Sequence, residues 1–412
     1  MDESSNVETP DSFKYFSFLS AISAAAGNNY HMSLLQGNLI VKPNIYTILL
    51  GPSGIGKEWP IWLVTELVQR SETTRVISGR SSIQAIVKEL ASARTRPDRP
   101  PITDSRAIII NGELSTAIIE DSDALTILTD LYDRKSRWSN LLKGAGEEVL
   151  KNPYVTTLFG SSPAHFQDSI PIANIEGGFI GRNFLVREEK LTKQIDLISE
   201  DEKETSDFPF QKFVPHLELI SRKGGRIIPD NDCKNRFNEW RKKWREANSS
   251  TADNTGFVAR VPVHVLKVAM CLVLSDYESQ KTLIMGQNHI EESIEQVTNL
   301  RYGTQRAVDG KGLDQYSIQT KMVLDFLINA DGNTLTRKQI LVKGYGNFNA
   351  IVLDGILDNL LEINWITRSR IFAGSRSDWE IHLAGKPLTE YLNFLEKAKA
   401  SRMKHQLQKE QV

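Results

Sequence analysis

The sequence predicts an α/β fold built on a parallel sheet, and two observations carry that expectation. Between residues 34 and 190, short apolar runs rich in β-branched residues alternate with stretches at helical spacing. That is the pattern of a parallel sheet covered on both faces. Within this region Ile45-Tyr46-Thr47-Ile48-Leu49-Leu50 passes into Gly51-Pro52-Ser53-Gly54-Ile55-Gly56-Lys57, and a helical run follows. Strand, glycine-rich turn and helix, with Gly51, Gly56 and Lys57 at these intervals, have the spacing of a phosphate-binding loop. The core is therefore expected to be that of a P-loop NTPase.

Glycines let successive backbone N–H groups turn toward phosphate oxygens. The helix N-terminus adds its positive end, and the lysine reaches the β- and γ-phosphates. The expected ATP-binding residues are Gly51, Pro52, Ser53, Gly54, Ile55, Gly56, Lys57 and Glu58. Glu58 departs from the pattern, because a Ser or Thr hydroxyl at that position would hold Mg²⁺. A surface turn that matches by chance is the alternative reading, and the flanking strand and helix speak against it.

Composition bounds the rest. A chain of 412 residues has room for two or three domains. A net charge of −1 creates no global field toward nucleic acid, so any such binding must be local. Cys233 and Cys271 have no metal-ligand spacing and read as reduced thiols of a cytoplasmic protein. The seven histidines form no pair at ligand spacing, so no structural metal is expected. The N-terminus is acidic and polar, unlike a secretory signal, and no apolar run is expected to approach a membrane span.

Taken in order, residues 1–33 form a tail, disordered over 1–10, and a helix over 11–27 that stops at a glycine. Residues 34–190 are the ATPase core, with strands at 45–50, 75–78, 107–110, 154–159 and 179–186. Helices lie at 81–93, where Ser81 or Ser82 is the cap, and at 122–132. The proline- and arginine-rich stretch 94–101 reads as an exposed loop. Residues 191–212 are an acidic linker and 213–303 a helical lid region, with helices at 234–247, 261–275 and 289–303. After a second linker at 304–315, residues 316–385 run helix, helix, helix, hairpin, the order of a winged helix. Residues 386–412 are a polar C-terminal helix or tail.

A nucleotide hydrolase needs a metal anchor, a base for water, a polar sensor of the γ-phosphate and a cation for the transition-state charge. Glu113 follows the most hydrophobic strand and is the candidate base, since ligands in such sheets bind beyond the C-terminal strand ends. An exposed strand-end carboxylate is the plain alternative. The acidic residue that would precede it is Gly112, a second departure that also falls on the metal. Glu58 and Glu113 are the expected Mg²⁺ ligands if a carboxylate at 58 replaces the missing oxygen donors; decay to a nucleotide-binding fold is the other account. Ser161 and Ser162 end a strand where a sensor belongs, and Ser-Ser-Pro is equally a helix cap. Arg182, among glycines and apolar residues, reads as an arginine finger reaching a neighbour's nucleotide, or as a salt bridge to Glu176 or Glu188. Arg260 is a candidate second nucleotide sensor on the lid.

For nucleic acid, Arg134, Lys135, Arg137 and Lys143 lie between the helix ending at 132 and the strand at 154. They could sit on a projecting hairpin that grips single-stranded DNA through its phosphates, or on an ordinary solvated loop. The third helix of the winged helix carries Asp354 and Asp358 and no basic residue, while Arg368, Arg370 and Arg376 fall on the wing. DNA and protein both remain possible partners there.

Several of these features, in this order, resemble a family of phage- and plasmid-encoded P-loop ATPases often fused to primases. They are Asn44-Ile45-Tyr46 leading into Gly51 and Lys57, Gly112-Glu113-Leu114, Asn152-Pro153 before Thr156 and Gly160, Gly178-Phe179 with Arg182, and His264 with Lys267-Val268-Ala269. The resemblance implies a replicative helicase-like motor with a RecA-like or AAA+-like core. It also implies assembly into a homo-oligomeric ring, a hexamer, with a separate primase or initiator as partner. The leading expectation is an ATP-dependent DNA motor; the alternative is an ATP-gated replication initiator or loader with little hydrolysis.

Overall fold

Five apolar stretches pair side by side as one parallel sheet in the computed structural model of the protein: β1 (Tyr46–Leu50), β2 (Arg75–Ser78), β3 (Arg106–Asn111), β4 (Tyr154–Ser161) and β5 (Asn183–Arg187). The structure describes residues 7–37, 39–79, 81–92, 94–96, 99–102, 104–114, 122–133, 137–142, 146–170, 178–191, 208–249, 253, 255–277, 283–308, 315–373 and 376–384. The spatial order is β5-β1-β4-β3-β2, and every pairing is parallel. β4 is thus inserted between β1 and β3.

Side chains alternate along a strand, so a sheet covered on both faces needs apolar residues at every position. β1 meets that demand: all of its residues are buried. Leu49 enters one core with α1 (Asp11–Ala26), α2 (Glu58–Ser71), α6 (Phe210–Arg222), α8 (Phe257–Ser275) and α9 (Gln287–Val308). Tyr46, Ile48 and Leu50 enter the other, with α3 (Ile83–Ala91), α4 (Ser122–Asp133) and α5 (Pro163–Ser169). Between α6 and α8 lies α7 (Asn231–Ala247), capped by Asp230, whose carboxylate accepts from the Cys233 N–H. Both cysteines are buried and free.

The observed elements depart from several expectations. Residues 7–10 are not a free tail, since Thr9 is buried and bonded into the core unit. The stretch 94–101 holds two short strands, Arg94–Arg96 and Arg99–Ile102, paired antiparallel. A two-stranded pair tolerates prolines where a central strand would not. Residues 180–182 form a 3₁₀ turn, so β5 starts only at Asn183. The linker expected over 191–212 ends in structure: Phe208 and Phe213 stack near Phe18 of α1. Gly303 does not stop its helix, which runs on to Val308. There the missing side chain allows close approach, because a Cβ would lie 3.2 Å from the Arg187 Cβ. Finally, α8 is long and apolar enough to cross a membrane by length and composition alone, which corrects the expectation that no apolar run approaches a span; 67% of its 18-residue apolar window is buried inside the fold.

Contacts divide the chain into Met1–Asp309 and Gly310–Val412. The second unit has its own core, built by α10 (Gln315–Ile328), α11 (Arg337–Lys343), α12 (Ala350–Glu362) and a three-stranded antiparallel sheet of Thr334–Thr336, Arg376–Leu383 and Ile366–Ala373. Thr336 and Gln339 cap α11 reciprocally, and Asn349 caps α12. Strand Thr334–Thr336 was absent from the sequence reading. The tail 386–412 lies outside the described residues.

Candidate functional site

The turn after β1 is folded back on itself. Gly54 and Gly56 both have φ of +81°, a left-handed backbone that side chains rarely adopt, which explains their residue type. Ile55 points the other way, buried in the first core, and anchors the loop. The Gly51 N–H donates to the Ser161 carbonyl of β4 at 3.3 Å. Lys57 donates to the carbonyls of Gly51 and Pro52 at 2.7 and 2.8 Å. Burial lowers its pKa, while the charges of Glu58 and Glu113 act in the opposite sense. Both carboxylates are therefore close enough to Lys57 to bias its charge. Glu58 is exposed in the first turn of α2, where a carboxylate also suits the helix dipole.

The chain's beginning closes one side of this loop, which the sequence reading missed. The Thr9 hydroxyl donates to the Gly56 carbonyl at 2.9 Å, and a Cβ at Gly56 would collide with the Glu8 carbonyl oxygen. Next to it the Ser12 hydroxyl donates to the Glu188 carboxylate at 2.7 Å, and the Glu188 N–H donates to the Leu50 carbonyl. No spacing in the sequence signals these contacts, because they join residues far apart in the chain.

On the other side, β3 and β4 end beside the loop. Glu113 is exposed, its N–H bonded to the Asn111 side-chain oxygen, and the Leu114 N–H donates to the Gly160 carbonyl. A Cβ at Gly112 would meet nothing within 4 Å. Ser161 pairs in register with Leu50 and donates to the Ser162 carbonyl. Ser162 takes the cap alternative: its hydroxyl accepts from the His165 N–H at the start of α5. Among the described residues no three His, Cys, Asp or Glu side chains cluster as a metal site.

Arg182 and Arg260 lie at the opposite end of the sheet. Arg182 immediately precedes β5, whose first residue pairs with Tyr46 at the start of β1. A strand of five residues spans about 16 Å, so neither guanidinium lines its own chain's loop. Arg260, the candidate second sensor, therefore stands away from its own chain's loop. Arg182 forms a two-bond ion pair with Asp133 at 2.5 and 3.1 Å and donates to the Gly178 carbonyl, whereas Glu188 bonds Ser12; Glu176 lies outside the described residues. Arg260 donates to the Gly256 carbonyl, and burial, then the Arg182 charge, lower its pKa.

Behind this pair sits a buried polar cluster in which Asn44, His264 and Lys267, three residues that carried the resemblance, meet Tyr132 and the Gly181 carbonyl. Lys267 donates to the Asn44 carbonyl and side-chain oxygen, both at 2.7 Å, and lies 4.0 Å from the Tyr132 ring centroid. His264 Nε2 donates to the Gly181 carbonyl at 2.9 Å, which leaves Nδ1 to accept from the Tyr132 hydroxyl at 3.4 Å. Burial above all, with Lys267, Arg260 and Arg182 adding, pulls the imidazole pKa down to about 3 against the opposing Gly181 bond. Unfolded, it would titrate near about 6.5. Between those values the unfolded chain takes up a proton that the native chain refuses, so this contribution to stability is complete above pH of about 6.5 and shrinks as pH falls, by about 1.4 kcal/mol per unit. Urea melts at pH 7.5 and 5.0 check this: in His264→Gln the loss between the two pH values should be smaller than in the parent by about 2 kcal/mol.

The expected DNA-binding stretch is a hairpin. Strands Arg137–Leu142 and Gly146–Lys151 pair antiparallel from Arg137 with Lys151 to Leu142 with Gly146. Trp138 and Leu150 root it in the second core, while Arg137 is exposed. Arg134, Lys135 and Lys143 lie outside the described residues. In the second unit Asp354 pairs with Arg337 and Asp358 with Arg368, and the Arg368 guanidinium lies 4.9 Å from the Trp379 ring centroid.

Neither a family model nor a curated protein matches the chain. The functional reading rests on this geometry.

Proposed function

We propose that the protein is an ATP-dependent DNA motor with a P-loop NTPase core, working as a homo-oligomeric ring that grips single-stranded DNA. One observation carries the reading: Lys57 and Glu58, on a loop whose glycines hold positive φ, stand within charge range of Glu113 beyond the C-terminal ends of β1 and β3, the two strands that flank β4. The donor set fits a magnesium nucleotide. Lys57 would exchange two backbone carbonyls for phosphate oxygens, and Glu58 and Glu113 would hold Mg²⁺ together with those oxygens. Mg²⁺ supplies neutralisation of charge on the β- and γ-phosphates. Glu113 would accept the proton of an attacking water, and Ser161 would orient the γ end.

The strand order favours one direction for the nucleotide. Glu113 and Ser161 stand on the β4–β3 side of β1, so the nucleoside end would face the β5 edge, where Ser12 and Glu188 meet. A carboxylate there suits ribose hydroxyls. The second unit, with three helices and a hairpin, is read as a winged helix, and 213–303 as the lid. The resemblance to phage- and plasmid-encoded ATPases supports the motor reading and a cytoplasmic setting, with a primase or initiator as a separate partner. The departures at Glu58 and Gly112 favour the second reading, an initiator or loader that binds ATP and scarcely turns it over.

Titrating ATP hydrolysis with Mg²⁺, with and without single-stranded DNA, tests both. For the motor, Glu58→Ser should shift the Mg²⁺ dependence, and Gly112→Asp, for which the structure leaves open space, should lower the Mg²⁺ requirement. Turnover absent with or without DNA, alongside ATP-dependent assembly on native mass measurement, selects the loader. Unchanged rates and metal dependence in both variants remove Glu58 and Gly112 from the metal site.

A further inference from the structure

Helix α7 sorts its side chains into three sectors. Cys233, Phe237, Trp240 and Trp244, spaced four, three and four apart, pack against the first core. Asp232, Glu239 and Glu246 recur every seven residues on a second face, where Lys243 pairs with Glu239 at 2.7 Å; Arg236, near that face, bonds Glu291 of α9 at 3.3 Å. The third face repeats the four-three-four spacing with Lys234, Asn238, Arg241 and Arg245, and Lys242 lies beside it. All five are exposed, and the stripe holds no carboxylate. Among the described residues Arg241, Lys242 and Arg245 form no ion pair, and Lys234 bonds only the neutral Asn231 side chain. On an ordinary solvated helix the two signs are interspersed. Here they are segregated, in a chain whose net charge is only −1.

We infer that this face of α7 is a docking surface for the phosphate backbone of single-stranded nucleic acid. From Lys234 to Arg245 the stripe runs about 16 Å along the helix axis, long enough for several consecutive phosphates. Its arginines present planar forks suited to phosphate oxygens, and Asn238 adds a neutral donor between them. The face has no exposed apolar side chain, so it offers no pocket for the side chains of a protein partner. It also cannot insert into a bilayer, because its apolar sector is committed to the core. The surface is distinct from the Arg137 hairpin and does not depend on the phosphate-loop reading.

The test is anisotropy of a labelled oligothymidylate, titrated at several salt concentrations with the full chain. Replacing Lys234, Arg241 and Arg245 together by Gln should lower affinity at least tenfold at low salt. The slope of log K against log salt should fall by about 2, three contacts at about 0.7 each. The control, Arg236→Gln with Lys243→Gln, removes cations that already have partners and should leave the slope unchanged. An unchanged slope in the triple variant, an equal loss in the control, or no binding by the parent chain overturns the inference. So does binding of polyglutamate that the triple variant loses while its DNA binding stays intact, which would assign the stripe to an acidic protein. The thermal shift produced by an ATP analogue, measured on the same variant, keeps failure here separate from failure of the nucleotide site.

Discussion

Replacing Arg182 by alanine is expected to lower ATP turnover by about 10³- to 10⁵-fold, the range attributed to an arginine supplied to a phosphoryl-transfer site, while ATP affinity is nearly unchanged. The guanidinium stands at the start of β5, a strand length away from its own loop, so in the proposed ring it would serve a neighbouring subunit's nucleotide. Its side chain is 11% exposed and held by Asp133, which is 51% exposed. Delivery to a neighbour therefore requires this pair to open. Asp133→Asn separates the roles. If Arg182 serves only to hold Asp133, both substitutions damage the protein alike, in melting temperature as in turnover. If it serves a neighbour, Asp133→Asn keeps turnover or raises it. Mixing Arg182→Ala with Lys57→Ala subunits completes the test: some activity should return, because each parent supplies the half that the other lacks.

The second large effect concerns Lys57. Its alanine variant should bind ATP about 10- to 100-fold more weakly, the loss of a charge-assisted bond of about 1.5–3 kcal/mol, and hydrolysis should disappear. A ligand at 100 times its Kd stabilises the native state by about 2.7 kcal/mol, and at a concentration equal to its Kd by only about 0.4 kcal/mol. Differential scanning of parent and variant at one ATP-analogue concentration reads that difference directly. A variant that retains the parent's thermal shift would show that the loop does not hold phosphate.

Much of the fold was legible because its signals are local. The β-branched run at 45–50, the apolar strand at 107–110 and the caps at Ser82 and Asn349 each declare themselves within a few residues. What escaped depends on partners distant in the chain. Gly303 looks like a helix stop by composition, yet it serves a close approach to Arg187. Nothing near Arg182 names Asp133, which lies 49 residues earlier. Ser161 and Ser162 were indistinguishable in sequence, and only the start of α5 separates a strand end from a cap. The basic stripe of α7 was legible, since its four-three-four spacing can be read off the sequence; the local charge run at 134–143 drew the reading elsewhere.

The contact between Thr9 and Gly56 has a mechanical consequence. The polypeptide reaches its first helix by crossing directly over the turn that follows β1. A load applied upstream of residue 7, by a tag, a tether or a bound partner, is delivered to Gly56 before it reaches any part of the core. Cleavage just after Thr9 would release a hydroxyl and a backbone carbonyl from that turn at one stroke. Glu8 and Thr9 thus brace the turn from outside, while the residues of the turn itself set its chemistry.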